Sequence, residues 1–363
     1  MTEVVAQRAL GRALLERQHL LRPTTASAFD VIDHLVGMQA QAPLAAYVGL
    51  WTRIIDFDPE ELSRLTDERR VARALMMRCT VHLMTAADCL AVRPLLDGLA
   101  RRELQGHFKR QLDGIDVDTV AQAGAELIAA QPGTRVEIRD VLTRRWPTAD
   151  ADALAYAVSY LVPTVQITPR GIWGTNGPAA MTTMESWLGR PPEARPVDSI
   201  VLRYLAAYGP ASVLDAQTWS GLTRLREVLE RLRPGLRVFR SEDGAELFDI
   251  PDGPLPDPQT PAPVRFLPEY DNVFLSHADR TRVNPDRRRI PLPPGNGASM
   301  GTVLIDGCYH ANWRLRREDG AAIVRVDPLR PFTSSERDEV DEEGLRLLGF
   351  IAADAEAAKV EIA

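Results

Sequence analysis

Leu236-Arg237-Val238-Phe239-Arg240-Ser241-Glu242-Asp243-Gly244-Ala245-Glu246-Leu247-Phe248-Asp249-Ile250 contains two β-prone runs around the turn residues Glu242-Asp243-Gly244. That is the pattern of a hairpin. Three helical stretches precede it. Residues 198–208 carry apolar side chains at helical spacing. Gly209-Pro210-Ala211-Ser212 then leads into a short helix ending at Ser220-Gly221, and residues 222–232 form a third. Three helices followed by a hairpin make the winged form of the helix-turn-helix, whose third helix commonly reads a DNA groove.

The same order of elements appears upstream. Residues 119–130, 136–146 and 151–162 read as helices. Thr164-Val165-Gln166-Ile167-Thr168 and Ile172-Trp173-Gly174-Thr175 read as strands around Pro169-Arg170-Gly171. These two copies begin about 80 residues apart, a structural repeat without sequence identity. A first copy is expected from helices at residues 3–20, at 29–38, at 60–77 and at 88–112, with the strand-like Arg78-Cys79-Thr80-Val81-His82-Leu83-Met84 before the last. Proline-rich residues 251–263 lead to a β-rich end with a hairpin turning near Asp306-Gly307, a strand at 322–326 and a helix at 334–352. The expected fold is helix-dominated α+β. It has winged-helix units at residues 1–115, 116–195 and 196–255, and a β-rich region at 256–363.

Composition narrows the function. The 363 residues, 45% hydrophobic and 26% charged, are those of a soluble multidomain protein. No apolar run approaches the ~20 residues of a membrane span, and no secretory signal is recognisable. Three scattered cysteines supply neither a disulfide framework nor a metal site. The expectations are a cytoplasmic protein with no cofactor and no metal, and a monomer, because three fused units remove the need for a dimer. A net charge of −7 disfavours nucleic acid only as a sum, since one basic face suffices. The 43 basic residues are nearly all arginine; Lys109 and Lys359 are the only lysines, and neither lies in a recognisable nucleophile motif.

The candidate catalytic residues are Gln39 and Gln41 of Met38-Gln39-Ala40-Gln41, expected at the end of the apolar helix 29–38. A glutamine amide orients water and points a carbonyl dipole at positive charge, but it is not a base. The competing reading is that both glutamines make local hydrogen bonds at a helix end. Together with Thr80-Val81-His82-Leu83, the segment 267–280 (Leu-Pro-Glu-Tyr-Asp-Asn-Val-Phe-Leu-Ser-His-Ala-Asp-Arg) and Val303-Leu304-Ile305-Asp306-Gly307, the motif makes the chain resemble the AlkZ/YcaQ-like winged-helix DNA glycosylases over nearly its whole length. Gln-x-Gln, where the other branch has Gln-x-Asp, resembles the AlkZ branch.

The resemblance implies a C-shaped arrangement of the units around DNA, a DNA-contacting hairpin in the C-terminal region, and a monofunctional glycosylase that excises cationic N7-alkylguanine from double-stranded DNA and unhooks interstrand crosslinks. Its setting would be self-protection in a producer of a DNA-alkylating compound, or general alkylation repair. Candidate DNA contacts are His277, Arg280 and Arg282 in the matched segment, and His310, Arg314 and Arg316 near the late hairpin. Arg287-Arg288-Arg289 is a further basic run. His34 and His82 are histidines near the motif. Two rival classes are a winged-helix transcriptional regulator, indifferent to Gln39→Ala, and a protein-interaction scaffold with no salt-dependent DNA binding.

Overall fold

The computed structural model describes residues 3–291 and 300–363 as a mixed α+β fold with three sheets. No helix among the described residues is long and apolar enough to cross a membrane.

The middle sheet positions the motif. Its strand order is Met38–Gln39, Val81–Thr85, Val71–Leu75, Thr164–Gln166, Ala180–Thr183, Gly133–Thr134. It runs across the first two helical groups, because Arg73 and Ala74 pair with Gln166 and Val165. Two expectations are corrected here. The helix expected over residues 60–77 ends at Asp67, with Arg69 at φ 59°, and Val71–Leu75 becomes a central strand. A strand hydrogen-bonded on both edges and buried on both faces lacks the in–out alternation of a half-exposed strand, so periodicity does not tell it from a helix. The strand expected at residues 172–175 is a turn. Thr164–Gln166 pairs instead with Ala180–Thr183.

The N-terminal helix is Gln7–Arg17. Ahead of it, Val4–Val5 adds a parallel strand to the hairpin Arg237–Ser241/Glu246–Asp249. Arg17 and Asp249 seal this junction with two buried hydrogen bonds of 2.7 and 2.8 Å. The helices Val197–Tyr208, Val213–Ser220 and Leu225–Leu232 precede that hairpin as expected. Ser212 caps the second by a reciprocal exchange with Asp215, which satisfies two orphan N–H groups at the helix start.

The C-terminal sheet runs Arg265–Leu267, Met300–Ile305, Cys308–Glu318, Ala321–Pro328, Ala357–Ile362. Its last strand is parallel to its neighbour and follows the helix Ser334–Ile351. Val340, Leu347 and Leu348 of that helix join Phe266, Val303, Trp313 and Val324 in one apolar core. The hairpin turns at Asp306 and Gly307, both at positive φ. Arg8 and Arg12 of the first helix both bond the Asp306 carboxylate, which ties this end of the chain to the other.

Candidate active site

A reversal of the backbone delivers the two glutamines. The helix Ala28–His34 starts at Ser27, whose hydroxyl accepts from the Asp30 N–H, and stops at Leu35. Val36 and Gly37 then take positive φ of 52° and 91°. A Cβ on Gly37 would lie 2.4 Å from Met84 Cγ, so only glycine fits. After this turn Met38–Gln39 pairs antiparallel with Leu83 and His82, and the Ala40 N–H donates to Val81 O at 2.8 Å. The motif therefore lies on an extended segment, not at a helix end. Two residues apart on extended backbone, Gln39 and Gln41 project to the same side. Pro43 at the first turn of Pro43–Trp51 ends the segment.

The side chains form one bonded unit. Arg78 Nη2 donates to Gln39 Oε1 at 2.9 Å, and Gln39 Nε2 donates to Gln41 Oε1 at 2.8 Å. Arginine only donates, so both amide orientations follow from these contacts. Gln39 is 6% exposed and Gln41 half-buried. The Gln41 amide protons and one Gln41 lone pair are therefore what the unit offers to solvent.

Arg78 is held on several sides. It sits in the tight turn between Val71–Leu75 and Val81–Thr85, where Arg78 and Cys79 have φ 54° and 53° and Thr80 N donates to Met77 O at 3.2 Å. Such turns favour Asn-Gly; two side-chain-bearing residues at positive φ store strain of order 1–3 kcal/mol each. Arg78 Nη1 donates to Trp219 O, and Nη2 contacts His82 Nε2 at 3.2 Å. His82 Nδ1 lies 2.9 Å from Thr80 O. With Arg78 as donor, His82 Nε2 must accept, so its proton is on Nδ1. Burial and Arg78 pull the His82 pKa down to about 3, which keeps the ring neutral. His82 is thus a support for Arg78 and not an acid.

Arg73, in the centre of its strand, donates to Gln166 Oε1 at 3.2 Å and reaches the Gln41 carbonyl at 3.5 Å. Burial, then the neighbouring Arg170, lower its pKa to about 9. Gly171 makes room for it: a Cβ there would come within 2.8 Å of Arg73 Cδ.

A cleft of about 790 Å³ opens beyond Gln41, starting at Ala42. Tyr47, Trp173, Trp313 and Phe350 wall it, Glu269 lines it, and Arg317 and Asp354 also border it. Burial with no charged partner raises the Glu269 carboxyl from 4.5 to about 7. A carboxyl whose folded pKa is raised contributes stability that is complete below its unfolded pKa and lost as pH rises through the folded value. The wild type will therefore lose about 3 kcal/mol between pH 4.5 and 7.5 from this group. Glu269→Gln will not lose it. Urea unfolding of both proteins at pH 5 and pH 8 measures this, and parallel pH dependences would refute it.

The other expected contacts are scattered. His277 and Arg282 are corrected: at 1% and 6% exposure they lie inside the protein, where no phosphate reaches them. His277 Nδ1 meets Ser276 Oγ at 2.9 Å and Nε2 meets Tyr208 O at 3.1 Å, and burial lowers its pKa to about 3. Arg282 donates to Pro210 O at 3.1 Å beside Asp215. The reason is that the matched segment is a strap through the core. Asp271 accepts two bonds from Arg53 at 2.9 Å, and Asn272 Nδ2 donates to Gly37 O at 2.9 Å, supporting the turn that presents the glutamines.

Arg280, two residues short of Arg282, is half-exposed; its Nε is buried without a partner. Arg314 and Arg316 are exposed and paired with Asp327 and Glu318. His310 is half-buried, held below its usual pKa first by burial and then by Arg330 and Arg288. His34 Nε2 meets Arg17 O at 2.7 Å and makes no bond to the motif. Arg287, Arg288 and Arg289 border a surface hollow with Arg280.

Sequence reading missed Arg73, Arg78, Arg170 and Glu269. Arg73 in Val71-Ala72-Arg73-Ala74-Leu75 carried a usable signal, a charge inside an apolar run. Glu269 carried none beyond its place in the matched segment.

The AlkZ-like family, described as "DNA glycosylase AlkZ-like", matches residues 32–350. A curated relative, an interstrand DNA cross-link repair glycosylase from Streptomyces sahachiroi, is 24% identical over 264 residues. That alignment covers 65% of this chain and 64% of the relative, so the chain spans just under two thirds of the relative's length. The solved structure of Streptomyces sahachiroi DNA glycosylase AlkZ matches with a TM-score of 0.73 at 19% identity. It covers 99% of this chain and 100% of that one, a likeness of fold.

Proposed function

The chain belongs to the AlkZ-like DNA glycosylase family, and from that membership we propose a monofunctional glycosylase that hydrolyses the N-glycosidic bond of cationic N7-alkylguanine in duplex DNA. Unhooking of interstrand crosslinks is included, as the name of the Streptomyces sahachiroi relative suggests. The observation that carries the reading is the Gln39–Gln41 pair, oriented by Arg78 and bonded to no carboxylate.

The chemistry follows from the amide. In the reaction the C1′–N9 bond breaks and its electron pair goes to N9, which neutralises the positive charge of the alkylated purine. A water oxygen bonds C1′ and releases its proton to solvent. Gln41 orients that water through its free lone pair, and the amide dipoles of both glutamines face the sugar cation. Neither residue can take the water's proton in an early transition state, so the leaving base must already be good. N7-alkylation makes it so.

The three groups of helices with their strands act as tandem winged helices around a C-shaped, duplex-sized channel. The half-exposed Arg280 and the exposed Arg314 and Arg316 are assigned to the DNA backbone. The open cleft suits a bulky adduct contacted within the duplex, without full extrusion of the base.

The test uses duplexes carrying one N7-methylguanine or one uracil, incubated with enzyme and then cleaved at abasic sites with alkali. Strand cleavage at N7-methylguanine alone is expected. Excision of uracil would overturn the cationic-substrate assignment, and DNA binding without any excision would favour the regulator.

A further inference from the structure

The glutamine unit lies between arginines that have no carboxylate. Arg73 touches the Gln41 carbonyl and Arg78 the Gln39 amide, and both otherwise bond neutral groups. Each is backed by a second, half-exposed arginine. Arg170 precedes Gly171, against which Arg73 packs. Arg280 follows Ala278, whose N–H donates to Asp215 on the same helix whose Trp219 carbonyl takes Arg78. Arg170 and Arg280 each keep a buried Nε with no partner. Among the described residues none of the four makes an ion pair, although 23 of the chain's other arginines do. The charged neighbours acting on Arg73 and Arg78 are these same arginines, beside tyrosines that burial keeps neutral.

Partly buried guanidinium groups without counter-charge are costly and call for an anion from outside. They are also the wrong environment for a developing sugar cation. The dipoles of two amides do not offset the positive charges of Arg73 and Arg78, which bond the glutamine unit directly.

Resting on the glycosylase reading, we infer that Arg170 and Arg280, the half-exposed members of the pairs Arg73/Arg170 and Arg78/Arg280, bind the two DNA phosphates that flank the lesion nucleotide, and that these phosphates supply the negative charge that stabilises the sugar cation. Arg170 and Arg280 contact the phosphates. Arg73 and Arg78 are positioning residues that hold the glutamines between them. The enzyme needs no carboxylate at this point because the substrate brings its own anions. A free N7-alkylated nucleoside, lacking them, would leave the arginine charges beside the glutamines unopposed and is not a substrate.

The test replaces one phosphodiester next to a single N7-methylguanine by an uncharged methylphosphonate, on the 5′ or the 3′ side. Excision is measured in single turnovers at saturating enzyme, so that weaker binding does not register. A flanking methylphosphonate slows excision on the order of a hundredfold, and one several nucleotides away has no effect. Arg170→Gln and Arg280→Gln each slow excision from native DNA, and each removes most of the penalty at one of the two linkages. A merely structural arginine would slow all substrates alike. Equal rates on flanking methylphosphonate and native DNA, or ready hydrolysis of N7-methyl-2′-deoxyguanosine, overturn the inference and leave the glycosylase standing. No excision from native DNA overturns the glycosylase reading, and the inference with it.

Discussion

Gln41→Ala will lower single-turnover excision of N7-methylguanine from duplex DNA by on the order of 10²–10³-fold while leaving DNA affinity close to wild type. The side chain is half-buried and holds the free amide of the bonded unit, so its loss removes the groups that we assign to water and sugar. Folding is little affected, because Gln39 Nε2 loses one acceptor at a place that solvent can reach.

Gln39→Ala serves as the contrast. It strips the acceptor from Arg78 Nη2 in a nearly closed environment, at a cost of about 1–3 kcal/mol in stability, as well as slowing excision. Rates come from alkaline cleavage of end-labelled duplex, affinity from fluorescence anisotropy, and stability from urea unfolding. A Gln41→Ala protein with excision within threefold of wild type would remove this residue from the mechanism. Arg78→Met should resemble Gln39→Ala, since it frees the amide of Gln39 to rotate.

Asp271→Ala will destabilise the protein by about 3–5 kcal/mol, the largest effect on stability expected from any residue of the matched segment. Asp271 and Arg53 are both within 1% of complete side-chain burial and share two hydrogen bonds of 2.9 Å. Removing the carboxylate leaves a guanidinium enclosed in the core with only the Gly49 carbonyl at 2.9 Å and Gln18 Oε1 at 3.4 Å. The Val273 N–H loses its acceptor as well.

Arg53→Met/Asp271→Ala should be less destabilised than the sum of the two single variants, because the uncompensated charge is then gone. Excision by the surviving folded fraction should stay near wild type, measured at low temperature where that fraction is complete. A loss below 1 kcal/mol for Asp271→Ala, or additive single effects, would contradict this account. The most specific resemblance in the sequence therefore marks a core strap, two residues of which, Asp271 and Asn272, support the elements that present the Gln39–Gln41 motif.

Much of the architecture was legible in the chain. The helices at Val117–Ala130, Arg135–Arg145, Ala151–Leu161 and Val197–Tyr208, and the hairpins around Glu242-Asp243-Gly244 and Asp306-Gly307, lie where periodicity and turn residues put them. Helical period, caps and positive-φ turn residues act over a few neighbouring residues, so they are written locally. Val71–Leu75 was misread as helix because its strand character depends on partners on both sides, one of them about 90 residues away. Ala357–Ile362 was missed for the same reason; a parallel edge strand is specified by the strand it joins.

The site divides in the same way. Gln39 and Gln41 could be picked out from the chain through the resemblance of their motif, because two neutral amides two residues apart are a weak signal alone. Their environment could not. Whether His277 and Arg282 face DNA or the core depends on the path of the segment through the fold, and burial is a property of everything packed around a side chain. Arg73 and Arg78, which bond residues 41 and 39, and Arg170 and Arg280, which back them, span more than 200 positions of sequence. Covalent order supplied the two glutamines and the turn that presents them. Long-range packing, which no local pattern encodes, chose the charge that surrounds them.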